Sequence, residues 1–288
     1  MPSFTELSSL LEADSALFIT VSVIFGLMVG SFLNVVIYRV PKMMEQEWHN
    51  NCLELQGKDI PAQQQFTLSK PRSSCPHCGH KIKALENVPV ISYLLLRGRC
   101  SACKTPISIR YPLVEILTGT LTGLTSWQFG YTTATLFAWV FVFALIALTF
   151  IDFDTQLLPD DITLPLLWLG LLFNLNSGFT DLKSAVIGAM AGYLVLWSVF
   201  WLFKLIRGKE GMGYGDFKLL AAIGAWFGWE LLPAVILLSS TMGAIIGIAL
   251  IVLTKRSKEV PIPFGPFLAI GGISALFFGQ QLSQIYLP

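Results

Sequence analysis

Apolar residues in this chain run in long unbroken stretches, without the three-to-four spacing or strict alternation by which a soluble element marks one buried face. A helix of about 20 residues crosses a hydrocarbon core of about 30 Å. Stretches of that order recur near 16–38, 111–129, 133–151, 161–177, 183–206, 217–230, 231–254 and 263–285. The pattern predicts an all-α integral membrane protein with about eight transmembrane helices. The stretch near 217–230 is short and is expected to form a tilted or half-buried helix. The first is expected to stay as a helix and not to be a cleavable leader, since its flank carries Glu6, Glu12 and Asp14 and no small-residue cleavage site closes it.

Polar sequence interrupts this pattern once at length, over 39–112, which is rich in Cys, Pro, Lys and Arg. The chain is therefore expected to divide into an N-terminal span (1–38), a cytosolic insert (39–112) and a polytopic domain (113–288). Within the insert, 42–70 is Gln-rich and lacks clear periodicity, which predicts mostly irregular structure. No internal repeat stands out.

The composition, 288 residues with 54% hydrophobic and 13% charged, lies outside that of soluble domains. A net charge of +1 gives no field that would attract nucleic acid, so the expected surroundings are membrane lipid. The placement of the cations is more telling than their sum. Eleven of the nineteen Lys and Arg lie in 39–112, Lys204, Arg207, Lys209 and Lys218 flank the loop after the fifth stretch, and Lys255, Arg256 and Lys258 follow the seventh. With eight spans and the N-terminus outside, all three segments fall in the cytoplasm and Lys183 alone lies near an outer loop, as the positive-inside rule asks.

The insert holds Cys75-Pro-His-Cys78 and Cys100-Ser-Ala-Cys103, two C-x-x-C knuckles 21 residues apart. Each can aim two thiolates at one ion, and together they complete the tetrahedral S₄ set that structural zinc prefers. Disulfides would not persist in a reducing cytosol. Four thiolates leave no need for His77 or His80 as ligands, and Cys52 is left over. A closed S₄ site has no open position for water, so the metal would fold the insert and take no part in hydrolysis.

Two acidic residues stand at the ends of apolar stretches: Asp152, in Ile151-Asp-Phe-Asp-Thr-Gln-Leu-Leu-Pro-Asp160, and Asp216, in Gly213-Tyr-Gly-Asp216. Carboxylates beside lipid are costly, and those retained usually line cavities or do chemistry. A carboxylate pair sharing one proton can hydrolyse an amide without a metal. The plainer reading is that Asp216 caps its own helix and that Asp152, Asp154, Asp160 and Asp161 merely solvate a loop. Physical reasoning from the sequence leaves both open, with Asp154 a reserve candidate for the pair.

At these residues the chain closely resembles the type IV prepilin peptidases, a family of GxGD membrane aspartic proteases. The resemblance runs through Gly30-Ser-Phe-Leu-Asn34-Val-Val-Ile-Tyr-Arg39, both cysteine knuckles, Ile107-Ser-Ile-Arg-Tyr-Pro-Leu-Val-Glu115, the pattern from Asp152 to Asp160, and Gly213 to Asp216. It implies that Asp152 and Asp216 are catalytic and that the substrates are type IV prepilins or pseudopilins, of pilus or type II secretion systems. Their basic leader would be removed at the cytoplasmic face of a bacterial inner membrane. It further implies that the new N-terminal amine is methylated from S-adenosylmethionine by the N-terminal part, with Asn34, Arg39, Glu86, Arg97 and Glu115 as polar candidates. Structural alternatives for these are a Glu115–Arg110 pair and lipid-phosphate contacts of Arg97 and Arg99. A presenilin-like protease shares GxGD but not the knuckles, and a transporter would place its carboxylates near the midplane of inverted repeats.

Overall fold

Asp14 starts the longest helix in the molecule, its carboxylate accepting from the Ala16 and Leu17 amides at 2.9 and 3.0 Å and so satisfying two donors that a helix start leaves free. The computed structural model describes residues 4–59, 66–209, 211–254 and 262–284; the basic residues Lys255, Arg256 and Lys258 lie outside them. Asp14 separates α1 (Phe4–Ala13) from α2 (Ser15–Leu55). At 41 residues, α2 is about 62 Å long, twice a hydrocarbon core. It overturns the expectation of irregular structure for the part of 42–70 that runs to Leu55. The reason is local: residues 42–55 are mainly Met, Glu, Gln, Lys and Leu, with neither Gly nor Pro, and the helix ends where Gly57 takes φ +67°.

The chain forms two compact units, Met1–Thr135 and Leu136–Pro288. In the first, a 3₁₀ turn (Ala84–Asn87) and the short α3 (Ile91–Leu95) precede α4 (Arg110–Phe129), which packs along α2. The two backbones nearly touch, because a Cβ on Gly30 would lie 2.7 Å from Glu115 Cα and one on Gly26 2.9 Å from Gly119 Cα. Close approach at small residues is how helices gain packing energy where the surroundings are as apolar as they are. The buried hydroxyls at this seam, Ser22, Thr118 and Thr122, each bond back to the carbonyl four residues earlier at 2.7 Å.

The second unit holds α5 (Thr133–Thr155), α6 (Asp160–Asn174), α7 (Leu182–Arg207), α8 (Tyr214–Phe227), α9 (Leu232–Thr254) and α10 (Gly265–Gln284). Helix α8 is buried on every side from Asp216 to Phe227 except at half-buried Lys218; α6, α7, α9 and α10 pack around it. Gly188 of α7 and Gly224 of α8 face each other, each leaving room only for the other's backbone. At its far end α8 is tied by Asn174, whose amide donates to the Ala225 and Trp226 carbonyls and whose oxygen accepts from the Phe179 and Thr180 amides. Phe141, Phe173, Phe179 and Trp226 stack there, with Phe141 and Trp226 centroids 4.9 Å apart. Such pairs add about 0.5–1.5 kcal/mol each beyond burial.

Among the described residues the fold is all-helical, with two isolated bridges and no strand. Four helices, α2, α5, α7 and α9, are long and apolar enough to cross a membrane. Helices α4 and α10 have 20 residues each, while α6 and α8 have 15 and 14, or about 22 and 21 Å.

Candidate functional site

Along α5 the fully enclosed positions Ala138, Phe141, Leu145 and Leu148 recur at steps of three and four, and the next step is Asp152. Its carboxylate therefore faces the interior of the unit and is 4% exposed, whereas Asp154 is turned away on the same helix and exposed. Asp216 enters from the first turn of α8 and is 6% exposed. The charge of Asp152 acts on Asp216, so the two carboxylates from different helices share one site.

Asp216, in the first turn of α8, also accepts the backbone amide of Gly213, the N-cap of its own helix, whereas Asp152 stands in the last turn of α5, the end where a negative charge is disfavoured. It is held from outside: the Gly265 amide, at the start of α10, donates to Asp152 Oδ2 at 2.9 Å. A Cβ on Gly265 would lie 2.6 Å from that oxygen, and one on Gly215 2.7 Å from Leu158 Cβ. Leu158 thus wedges between the glycines that bring α8 and α10 to the carboxylates. Alongside, Lys218 of α8 binds both oxygens of Asp160, the first residue of α6, at 2.7 Å. The ends of α5, α6, α8 and α10 meet here. Gly265 and Leu158 border this candidate site and were not singled out by sequence reasoning; the Gly-Pro step opening the last helix was the available signal for the first.

In the insert, Cys75, Cys78, Cys100 and Cys103 place their sulfurs within 4.8 Å of one another, with Cys75 and Cys103 at 3.8 Å. A tetrahedron with metal–sulfur bonds of about 2.3 Å has edges of about 3.8 Å, so the four can hold one tetrahedral ion. The knuckles are built alike, which the sequence did not announce as a repeat. Cys75 takes the His80 carbonyl and Cys100 the Thr105 carbonyl at 2.9 Å, each closed by a bridge, Ser74 to Lys81 and Arg99 to Pro106. The Thr105 hydroxyl, 3.2 Å from Cys103 Sγ, and the Thr105 amide draw that thiol down to about 6, readying a thiolate. Cys52 lies exposed on α2. His80 turns to Glu86, whose carboxylate also accepts the Lys83 amide at 2.8 Å. That amide, the Ser101 hydroxyl and His80 together hold Glu86 down at about 2.

The remaining polar candidates fall into three places. Asn34 and Glu115 lie buried on the α2–α4 seam: Asn34 donates to the Gly30 and Tyr111 carbonyls at 3.2 Å, and Glu115 accepts from the Val90 amide at 2.8 Å and from Ser31. These partners, and not Arg110, engage the Glu115 carboxylate. Val90 itself sits at φ 59°, ψ −49° in a γ-turn closed by the Ile91 amide on the Pro89 carbonyl, a strained geometry for a β-branched residue, costing of order 1–3 kcal/mol. Arg39 is buried with its guanidinium on the Thr67 and Pro71 carbonyls at 2.7 and 2.6 Å. Arg97 is exposed beside the second knuckle.

Comparison with known proteins covers both units. The model of the bacterial peptidase A24 N-terminal domain matches residues 24–129, and that of the type IV leader peptidase family matches 139–248. A prepilin leader peptidase/N-methyltransferase of Aeromonas hydrophila is 55% identical over 94% of this chain and 94% of its own length. One of the same name from Pseudomonas aeruginosa is 52% identical over 94% and 93%, and one from Burkholderia pseudomallei 52% over 90% and 84%. No solved structure gives a significant match.

Proposed function

Since the chain belongs to the type IV leader peptidase family, we propose that it removes the basic leader of type IV prepilins or pseudopilins and methylates the new N-terminal residue from S-adenosylmethionine. Asp152 and Asp216 are the hydrolytic pair. One takes a proton from water while the other polarises the scissile carbonyl and then protonates the leaving amine. The observation that carries this reading is that two buried carboxylates from separate helices lie close enough for the charge of one to act on the other, and that one of them is held by the amide of a third helix.

Helices α2 and α4 to α10 are eight bilayer-crossing segments, with α6 and α8 the short ones. The Lys/Arg distribution supports a bacterial inner-membrane protein whose insert and aspartates face the cytoplasm, where a basic leader is retained. Zinc on Cys75, Cys78, Cys100 and Cys103 holds the insert folded. With the first span and α4, the insert is the methyl-transfer part, and Asn34 and Glu115 on the shared seam are its best-placed polar residues. The freed amine has a reference pKa of about 7.7–8.0, so a useful neutral fraction would be available without strong base assistance to take the methyl group from bound S-adenosylmethionine, S-adenosylhomocysteine leaving as the sulfur–methyl bond breaks and the amine's proton passing to water.

The test is to incubate the purified protein with a prepilin and S-adenosylmethionine and weigh the products. Leader loss and a methyl addition are expected as separate mass changes. An intact prepilin would refute the peptidase assignment, and a cleaved but unmethylated product the transferase assignment.

A further inference from the structure

Between α7 and α9 the second unit carries an open cleft of 410 Å³. Val195 and Val199 of α7 form one wall, Ile236 and Ala244 of α9 the other, and Phe267 of α10 the floor. Among the described residues lining it, Ser240 alone has a polar side chain and none is charged. The valines are 42% and 49% exposed, so this space is not closed by the protein's own packing.

The cleft leads to the carboxylates. Its lining includes Met212 and Phe264. Met212 adjoins Gly213, the N-cap of α8 from which Asp216 follows in the first turn, and Phe264 adjoins Gly265, whose amide holds Asp152. An occupant of the cleft therefore has one end beside the aspartate pair. A wall without charge cannot hold a basic leader, but it matches one face of an apolar helix, and small side chains on such a wall let a helix backbone approach. Resting on the peptidase reading above, we infer that the α7–α9 cleft seats the apolar helix of the substrate, which enters sideways from the lipid. The bond joining leader to helix then lies at Asp152 and Asp216, and the polar leader stays outside the cleft. Selection of the cleavage point follows from this geometry: the junction between polar and apolar sequence is fixed where the cleft ends.

The experiment uses the full-length protein in lipid nanodiscs and two substrates, an intact prepilin and a short soluble peptide spanning the cleavage point but lacking the apolar helix. Val199→Trp and Ala244→Trp fill the cleft. Each is expected to lower kcat/KM for the prepilin, relative to that for the peptide, by about tenfold, the equivalent of leaving about two methylene groups of the helix unburied, with the loss in KM. An unchanged ratio in both variants overturns the inference. Because a tryptophan can disturb folding, a photo-crosslinking residue is also placed at Val199, at Ala244 and at Met190, an exposed α7 position outside the cleft. Crosslinks from 199 and 244 to the substrate's apolar helix, with little from 190, support the cleft; equal labelling from 190, or none from 199 and 244, overturns it. Failure of the parent protein to cut either substrate marks the peptidase reading itself as wrong, whereas a cutting parent with an unchanged ratio and no cleft crosslinks condemns the cleft alone.

Discussion

Gly265→Ala tests the contribution of α10 to the aspartate pair without replacing either carboxylate. The added Cβ would stand 2.6 Å from Asp152 Oδ2, where a carbon–oxygen contact needs about 3.3 Å. The carboxylate must then retreat by about 0.7 Å, stretching its 2.9 Å bond from the Gly265 amide to about 3.6 Å, beyond hydrogen-bond range. Misplacement of a reacting group by about 1 Å costs roughly 100-fold, so kcat is expected to fall about 30- to 100-fold, or about 2–2.7 kcal/mol in the barrier. The loss should lie in kcat and not in KM, because nothing in the α7–α9 cleft changes. Single-turnover cleavage of a prepilin followed by mass spectrometry gives the rate, and methylation of a precut pilin by the same preparation reports on folding. A variant that methylates normally and keeps kcat within threefold of the parent would show that the Gly265 amide does not position Asp152.

Asp152→Asn and Asp216→Asn should each reduce cleavage below detection while a precut pilin is still methylated, since an amide performs neither half of the proton transfer; Asp154→Asn, exposed on α5, should be much milder, and the reverse ranking would move the pair. Metal analysis should find about one zinc per chain, unchanged in Cys52→Ser and lost in Cys100→Ser, with methylation failing before cleavage; a folded insert purified free of metal would refute the site. Glu86 is held near 2 against an ordinary carboxylate value of 4.5, so its support of the 3₁₀ turn is complete above pH of about 4.5 and fades as pH falls toward about 2. Amide exchange of Lys83 should therefore be faster in Glu86→Gln than in the parent at pH 6, with the difference closing toward pH 2; a gap that persists at low pH would exclude the charge as its cause.

The cysteine set was readable because its chemistry fixes its spacing: two C-x-x-C pairs allow few arrangements, and the sulfurs do gather within 4.8 Å. Helix positions were legible because long apolar stretches mark them. What the sequence hid is which face of each helix turns inward. In α5 the residues around Asp152 are apolar on the lipid side as well, so the stripe from Ala138 to Asp152 leaves no periodic mark, and the separation of Asp152 from Asp154 becomes visible only in three dimensions. The extension of α2 to Leu55 was missed because a polar helix without an apolar stripe reads as loop. Gly265 was missed because its role is a backbone amide and an absent Cβ, neither of which a residue type announces.

Two buried carboxylates close to lipid need compensation, and the architecture supplies it from backbone more than from side chains. The first turns of α8 and α10 reach the pair, through the Gly213 and Gly265 amides, and a helix start offers unpaired amides and the positive end of its dipole. Lys218 of α8 is engaged by Asp160, a pair 28% and 52% exposed that is worth at most about 1 kcal/mol and serves to tie α8 to α6. Helix length makes this convergence possible. At about 22 and 21 Å, α6 and α8 are shorter than α7 and α9, of 26 and 23 residues or about 39 and 34 Å, so two helix starts can lie at a depth their neighbours pass through. Irregular backbone at such a depth is tolerated where it lines a cavity, and the Gly213–Gly215 turn and the Phe264–Gly265 step border this one. On the proposed reading, lengthening α8 by a turn at its N-terminus would shift the Gly213–Gly215 turn away from Leu158 and Gly265 and is expected to abolish cleavage, so the shortness of that helix belongs to the proposed chemistry.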